Sequence, residues 1–120
     1  MPRNISFALT TEQIRNRTKT VTRRLGWKNL KKGDILNACV KCMGLKKGEK
    51  PEKLGLIRVV DVRREPLDGP YYGQKGLEES RREGFDFSYH KFVEMFCKHM
   101  GGDKNQEVTR IEFEYINEKY

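Results

Sequence analysis

The chain has no apolar run near the roughly 18 residues that a membrane-crossing helix needs, and its first ten residues, Met1–Thr10, lack the apolar core of a secretory signal. Together these absences predict a cytoplasmic protein with no membrane partner. Cysteine is scarce, with three in 120 residues, which excludes a disulfide scaffold and leaves thiols that stay reduced in that compartment. The two histidines, His90 and His99, have no Ser or Asp at triad spacing, so neither carries a mechanism by itself. The length leaves no room for a separate catalytic domain, and residues 1–120 read as one domain with a single core.

Negative charge is missing from one segment altogether. Between Glu12 and Asp34 no acidic residue occurs, while Arg15, Arg17, Lys19, Arg23, Arg24, Lys28, Lys31 and Lys32 all fall there. The whole chain carries 25 Lys and Arg against 17 Asp and Glu, a formal charge of +8. That one block holds the entire excess, and the remainder balances. A concentrated basic block points to a polyanionic partner, most often nucleic acid.

Local patterns divide the chain into short elements. Asn4–Leu9 alternates Ile5, Phe7 and Leu9 against polar or small residues, the period of a half-buried strand. Thr10 with Gln13 offers a capping box for a helix from Thr11 to about Arg17. Lys19–Arg24 is β-branched and extended, and after Gly33-Asp34 a strand runs over Ile35–Met43 with Leu36, Ala38, Val40 and Cys42 on one face. Gly44–Leu54, with two glycines, a proline and four lysines, reads as a loop. Gly55–Arg64 returns to strand, with Leu56, Val60 and Val62 on one face and Ile57 and Val59 on the other. Pro66–Gly76 reads as a loop in which Tyr71 and Tyr72 follow no core period. Leu77–Glu83 is a charged helix that stops at Gly84. A second helix starts at the N-cap Ser88 and places Tyr89, Phe92, Val93, Phe96 and Cys97 on one stripe before Gly101. Val108–Ile116 closes the chain as a strand with Ile111, Phe113 and Tyr115 inward. Strands with helices inserted near the ends indicate an α+β fold, and five short strands around one core indicate a small barrel.

Two constellations compete for chemistry. Cys39-Val-Lys-Cys42 with Cys97-Lys-His99 has the residue types of a zinc site. In a strand, however, two cysteines three apart point to opposite faces, and Cys97 belongs to an apolar helical stripe, so no metal or cofactor is expected. The segment Thr18–Arg24, followed by Leu25-Gly26-Trp27, packs an amine, three hydroxyls, two guanidiniums and the only tryptophan into ten residues. Guanidiniums grip phosphates in bidentate fashion, and an aromatic face stacks on a base for roughly 1–3 kcal/mol. Arg17, Arg23, Arg24, Trp27 and Lys28 are therefore the expected contacts of an RNA or nucleoside partner.

These residues, in this order, resemble the ASCH family of small PUA-like β-barrels. The matching features are Lys19-Thr20-Val21-Thr22-Arg23-Arg24, Gly33-Asp34 before a strand, Ile57-Arg58-Val59-Val60-Asp61-Val62, Glu83-Gly84-Phe85 ahead of an aromatic helix, and the closing Ile111-Glu112-Phe113-Glu114. They span roughly Ile5 to Tyr115. The lysine-rich Gly44–Leu54 and the stretch Tyr71–Gly76 depart from the family pattern. The resemblance implies a barrel of five to six strands with short helices at its ends. In its branch that hydrolyses N4-acetylcytidine it also implies a catalytic Lys19, Thr22 and Glu83. Other members are proposed to bind or cleave RNA, so a non-catalytic RNA-binding module and a ribonuclease stand as alternatives.

The chemistry is coherent in two forms. Thr22 attacks the amide with Lys19 as base, or Glu83 shuttles the proton while a charged Lys19 steadies the oxyanion. Either form needs a bend, because residues 19 and 22 of a regular strand would face opposite sides.

Overall fold

The computed structural model describes residues 2–41 and 47–116. Among the described residues five strands form one sheet: β1 (Arg3–Ser6), β2 (Val21–Arg24), β3 (Ile35–Cys39), β4 (Lys53–Pro66) and β5 (Glu107–Tyr115), in the spatial order β1-β3-β4-β5-β2. Only β1 and β3 run parallel; the other pairings are antiparallel. The sheet curls into a half-barrel, carried by the long β4–β5 ladder, with three short helices around it. These are α1 (Thr11–Arg15), entered through a 3-10 turn at Ala8–Thr10, α2 (Gly73–Arg82) and α3 (Tyr89–Met100). This is the small α+β barrel-like fold expected from the sequence. None of the described helices is long and apolar enough to cross a membrane.

Two apolar clusters hold the elements together. The first, on one face of the sheet, includes Ile5, Phe7, Leu36, Ile57, Ile111 and Phe113. The second packs α3 against the segment after β4 through Leu67, Tyr71, Tyr89, Phe92, Phe96 and Val108. Burying one such side chain contributes roughly 1.5–3 kcal/mol, so each cluster fixes its elements firmly.

A bulge reassigns the faces of β4. Val59 pairs with Phe113 and Asp61 with Glu112, which leaves Val60 as the extra residue. The parity of the strand flips there. Val62 consequently packs against the same cluster as Ile57 and Val59 instead of lying on the opposite face.

Other expectations need correction. β1 stops at Ser6, and Leu9, expected inward, is 54% exposed because the 3-10 turn breaks the alternation. The capping box does not form: Thr10 makes no side-chain cap bond, and the Gln13 amide donates to the Gly84 carbonyl across the fold. α1 ends at Arg15, two residues short. β3 ends at Cys39, with Val40 half-buried beyond it, and Cys42 lies outside the described residues. The expected loop Gly44–Leu54 lies partly outside them as well, while Lys53 and Leu54 already belong to β4. Tyr71 is a core residue whose ring packs on Tyr89 at 4.8 Å, while Tyr72 is exposed. α3 follows expectation closely: the Lys91 N–H donates to Ser88 Oγ at 3.2 Å, and Gly101 ends the helix at φ +83°.

α2 starts four residues earlier than its sequence suggests, because Gly73 and Gly76 read as breakers. At Gly76 the glycine is a packing requirement: an added Cβ would stand 2.6 Å from the Tyr71 carbonyl oxygen and 3.2 Å from Tyr89 Cβ. Since that oxygen is main chain, it cannot swing aside. Gly76→Ala is expected to destabilise the chain by about 1–3 kcal/mol, read as a lower urea midpoint with an unchanged slope.

Candidate functional site

The bend that the chemistry requires is present. β2 begins only at Val21, and before it the Thr20 N–H donates to the Arg82 carbonyl at 2.8 Å while the Lys19 N–H donates to the Gln13 carbonyl at 3.2 Å. The chain thus crosses the end of α2 before entering the sheet, and Lys19 and Thr22 come to line one cleft. Glu83 arrives from the other side as the C-cap of α2, followed by Gly84 at φ +100°. At Gly84 an added Cβ would meet the Gln13 side chain at 2.8 Å, so glycine lets α1 lie against the turn that presents Glu83. Lys19, Thr22 and Glu83 are 3%, 3% and 2% exposed.

Their contacts form a buried ionic ladder. Lys19 Nζ donates to Glu83 Oε1 at 2.8 Å and to the Glu83 main-chain oxygen at 2.6 Å. Arg23 donates to the other carboxylate oxygen, Oε2, at 2.8 Å and also binds Glu79. Arg110 closes the ladder with a two-point grip on Glu79 at 2.7 and 3.2 Å. Glu65 touches Arg23 at 3.3 Å and is itself bonded by Tyr71 and Arg63. The rings of Tyr71, Tyr89 and Phe92 surround the Arg23 guanidinium at 5.1–5.8 Å. Its Nε has no hydrogen-bond partner among the described residues.

Electrostatics follow from this packing. Burial pushes the Lys19 ammonium below its ordinary value, against the pull of Glu83, and Arg24 and Arg23 push the same way. Burial alone would raise the Glu79 carboxyl, but the Arg110 hydrogen bonds and the Arg23 charge reverse that and hold it at about 2.

The cleft has a volume of about 250 Å³, near the small end of ligand pockets at roughly 300 Å³ and above. Its polar lining includes Lys19, Thr22, Arg24 and Glu83, and Phe85, Phe92, Met95 and Phe96 form an apolar wall. It opens along the seam of the two apolar clusters, since Phe7 belongs to one and Phe92 and Phe96 to the other. Thr22 Oγ1 accepts from Arg24 Nε at 3.0 Å, and the same guanidinium donates to the Ser6 carbonyl at 2.6 Å. A hydroxyl beside a fixed cation and within a cleft that also holds a lysine is a candidate nucleophile.

No family model matches the sequence, and no curated protein matches it significantly. Solved structures do. A protein of Enterococcus faecalis V583, EF3133, of the DUF984 family model, superposes with a TM-score of 0.63 at 15% identity, covering 100% of this chain and 85% of its own. An ASCH domain from Lactobacillus crispatus JV V101 superposes with a TM-score of 0.57 at 12% identity, covering 94% and 78%. The fold is that of the ASCH domain.

Within this ASCH fold the expected contact residues separate. Arg23 and Arg24 line the cleft with Lys19, Thr22 and Glu83; Arg17, Trp27 and Lys28 are not among its lining residues. Arg17 lies over the Tyr115 ring at 5.3 Å, and Trp27 is half-buried under Arg3 at 4.7 Å. The basic block is thus divided between the cleft and the exposed surface. Lys19 and Arg23 turn inward, because their carboxylate partners sit on α2, while Lys28, Lys31 and Lys32 stay exposed. Sequence reasoning missed Glu79 and Arg110, whose partners lie 31 residues apart. It also missed His99, which lines the cleft from the last turn of α3. Cys39 is buried in β3 and Cys97 half-buried on α3; among the described residues no His, Cys, Asp and Glu side chains group as a metal site.

Glu79 makes stability pH-dependent with a definite sign. Its carboxyl lies lower in the folded than in the unfolded chain, so its contribution is complete above about pH 4.5 and lost as the pH falls through about 2. Glu79→Gln is expected to lower stability by about 3 kcal/mol at pH 7 and by much less at pH 2, measured by urea unfolding at both values.

Proposed function

We propose that this chain is a cytoplasmic hydrolase domain that takes a modified cytidine nucleoside into the cleft and cleaves the amide of N4-acetylcytidine. The observation that carries the reading is the convergence of Lys19, Thr22 and Glu83 on one cleft of about 250 Å³ with an aromatic wall. The ASCH fold agrees with it, as does the sequence resemblance to the acetylcytidine branch.

Each group has a role that its surroundings suit. Thr22 Oγ attacks the amide carbon as its proton passes to the Lys19 amine, and the Arg24 guanidinium beside that oxygen steadies the charge of the tetrahedral intermediate. Lys19 returns the proton to the departing cytosine nitrogen, leaving an acetyl ester on Thr22. Water then cleaves the ester to acetate and restores the hydroxyl. Glu83 orients Lys19 through its carboxylate and its main-chain oxygen, the part that the carboxylate plays in a nucleophile-base triad. Phe85, Phe92 and Phe96 offer faces and edges to the pyrimidine ring.

A second reading, RNA binding, is favoured by one observation: Arg17, Lys28, Lys31 and Lys32 remain exposed outside the cleft. The two readings separate experimentally. Incubation with N4-acetylcytidine and chromatography is expected to yield cytidine and acetate from the wild type, with Thr22→Val slower by about 100-fold or more and folded as judged by circular dichroism. Absence of cytidine where a known hydrolase forms it rejects the hydrolase. Salt-sensitive binding of RNA that weakens in Lys28→Ala and Lys31→Ala, with Thr22→Val unaffected, marks the binding module. Shortening of labelled RNA marks a nuclease.

A further inference from the structure

Glu83 is paired with two buried cations at once, Lys19 and Arg23. Behind Arg23, Glu79 is shared with Arg110 and the half-buried Glu65 adds a third carboxylate, so the three buried cations Lys19, Arg23 and Arg110 face as many acids. Of these cations only the lysine can lose its proton, because guanidinium groups stay protonated throughout the working range.

Geometry makes that loss tolerable. With Lys19 neutral, Glu83 still has Arg23 on Oε2 at 2.8 Å, so no buried carboxylate is left without a cation, the arrangement that costs most. A neutral amine still donates its two hydrogens to Glu83 Oε1 and the Glu83 main-chain oxygen. Its lone pair is then left to accept a proton in the cleft. We propose that Arg23 is a positioning residue whose charge lets Lys19 serve as the titrating base of the cleft, and that Glu79 moderates that charge from behind.

The other groups around Lys19 agree. From β2, Arg23 and Arg24 both oppose an ammonium; from the end of α2, Glu83 favours one, and Phe85 beyond it adds an apolar ring at 5.9 Å. α3 contributes the exposed His99 to the cleft, and α1 offers only the Gln13 carbonyl, which takes the Lys19 main-chain N–H. Burial acts in the same direction, lowering the lysine from its ordinary value. Glu79 stands behind Arg23, gripped by Arg110, and offsets part of the guanidinium charge.

The proposal deepens the hydrolase reading, yet its test needs no substrate. In 13C-lysine-labelled protein the Lys19 side-chain resonance, assigned by its loss in Lys19→Met, is followed against pH. In Arg23→Met, Glu83 faces Lys19 as a one-to-one pair, and the titration moves to higher pH. Glu79→Gln leaves Arg23 less compensated, and the titration moves to lower pH. Arg23→Lys restores the charge and returns it toward wild type. With N4-acetylcytidine as substrate, Arg23→Met loses about tenfold in rate at pH 7 and regains it as the pH is raised. A residue that merely filled space would not give shifts of opposite sign. The proposal is overturned if the Arg23→Met and Glu79→Gln titrations both coincide with wild type or move in the same direction. Should Arg23→Met fail to fold, a Glu79→Gln titration at or above wild type overturns it alone. Opposite shifts without any cytidine formed would remove the hydrolase reading and leave the charge device standing.

Discussion

One carboxylate, Glu83, is shared by two cations from a neighbouring segment, and the geometry of the cleft depends on that sharing. Lys19 lies before β2 and Arg23 within it, so bonding both to the end of α2 fixes where the chain must bend and how α2 sits on the sheet. Because the groups are almost wholly buried, removing one partner would leave another charge unsolvated, which costs several kcal/mol. The ladder is therefore held as a unit, with Arg110 anchoring its far end in β5.

Such a network is a weak source of net stability, since desolvation offsets most of the attraction between its members. What it supplies is position. The apolar clusters on either side contribute the larger share of folding energy through burial, and the ladder decides how they meet. The cleft opens at that seam, with aromatic side chains from α3 on one side and the polar groups of β2 and α2 on the other. Rigid placement of a hydroxyl, an amine and a carboxylate in a small cleft suits reaction on a bound molecule, because orientation is secured before binding.

Much of the scaffold was legible from local pattern. α3 was readable to within a residue because cap, stripe and terminating glycine agree, and β5 because Ile111, Phe113 and Tyr115 alternate with acidic residues. The misreadings share a cause: a local signal overruled by a distant contact. Thr10 and Gln13 match a capping box, but Gln13 bonds to Gly84. Gly73 and Gly76 look like breakers, but Gly76 lets α2 approach the Tyr71 main chain. Val60 reads as a regular strand position, but the pairing with β5 leaves it as the extra residue. Tyr71 follows no local period because its partners, Glu65, Tyr89 and the Arg23 guanidinium, come from other elements.

By itself the sequence determined the alternation of strands and helices and the concentration of positive charge between Glu12 and Asp34. It also carried the identities of Lys19, Thr22 and Glu83 as a spaced set. These are properties of short-range periodicity and composition, which a chain carries into any fold. Only the tertiary structure decided which of those charges reach solvent. Lys19 and Arg23 turn inward because Glu79 and Glu83, some 56 to 64 residues away, are brought against them. Lys28, Lys31 and Lys32, with no such partner among the described residues, remain at the surface, where water solvates a charge at lower cost than the interior does.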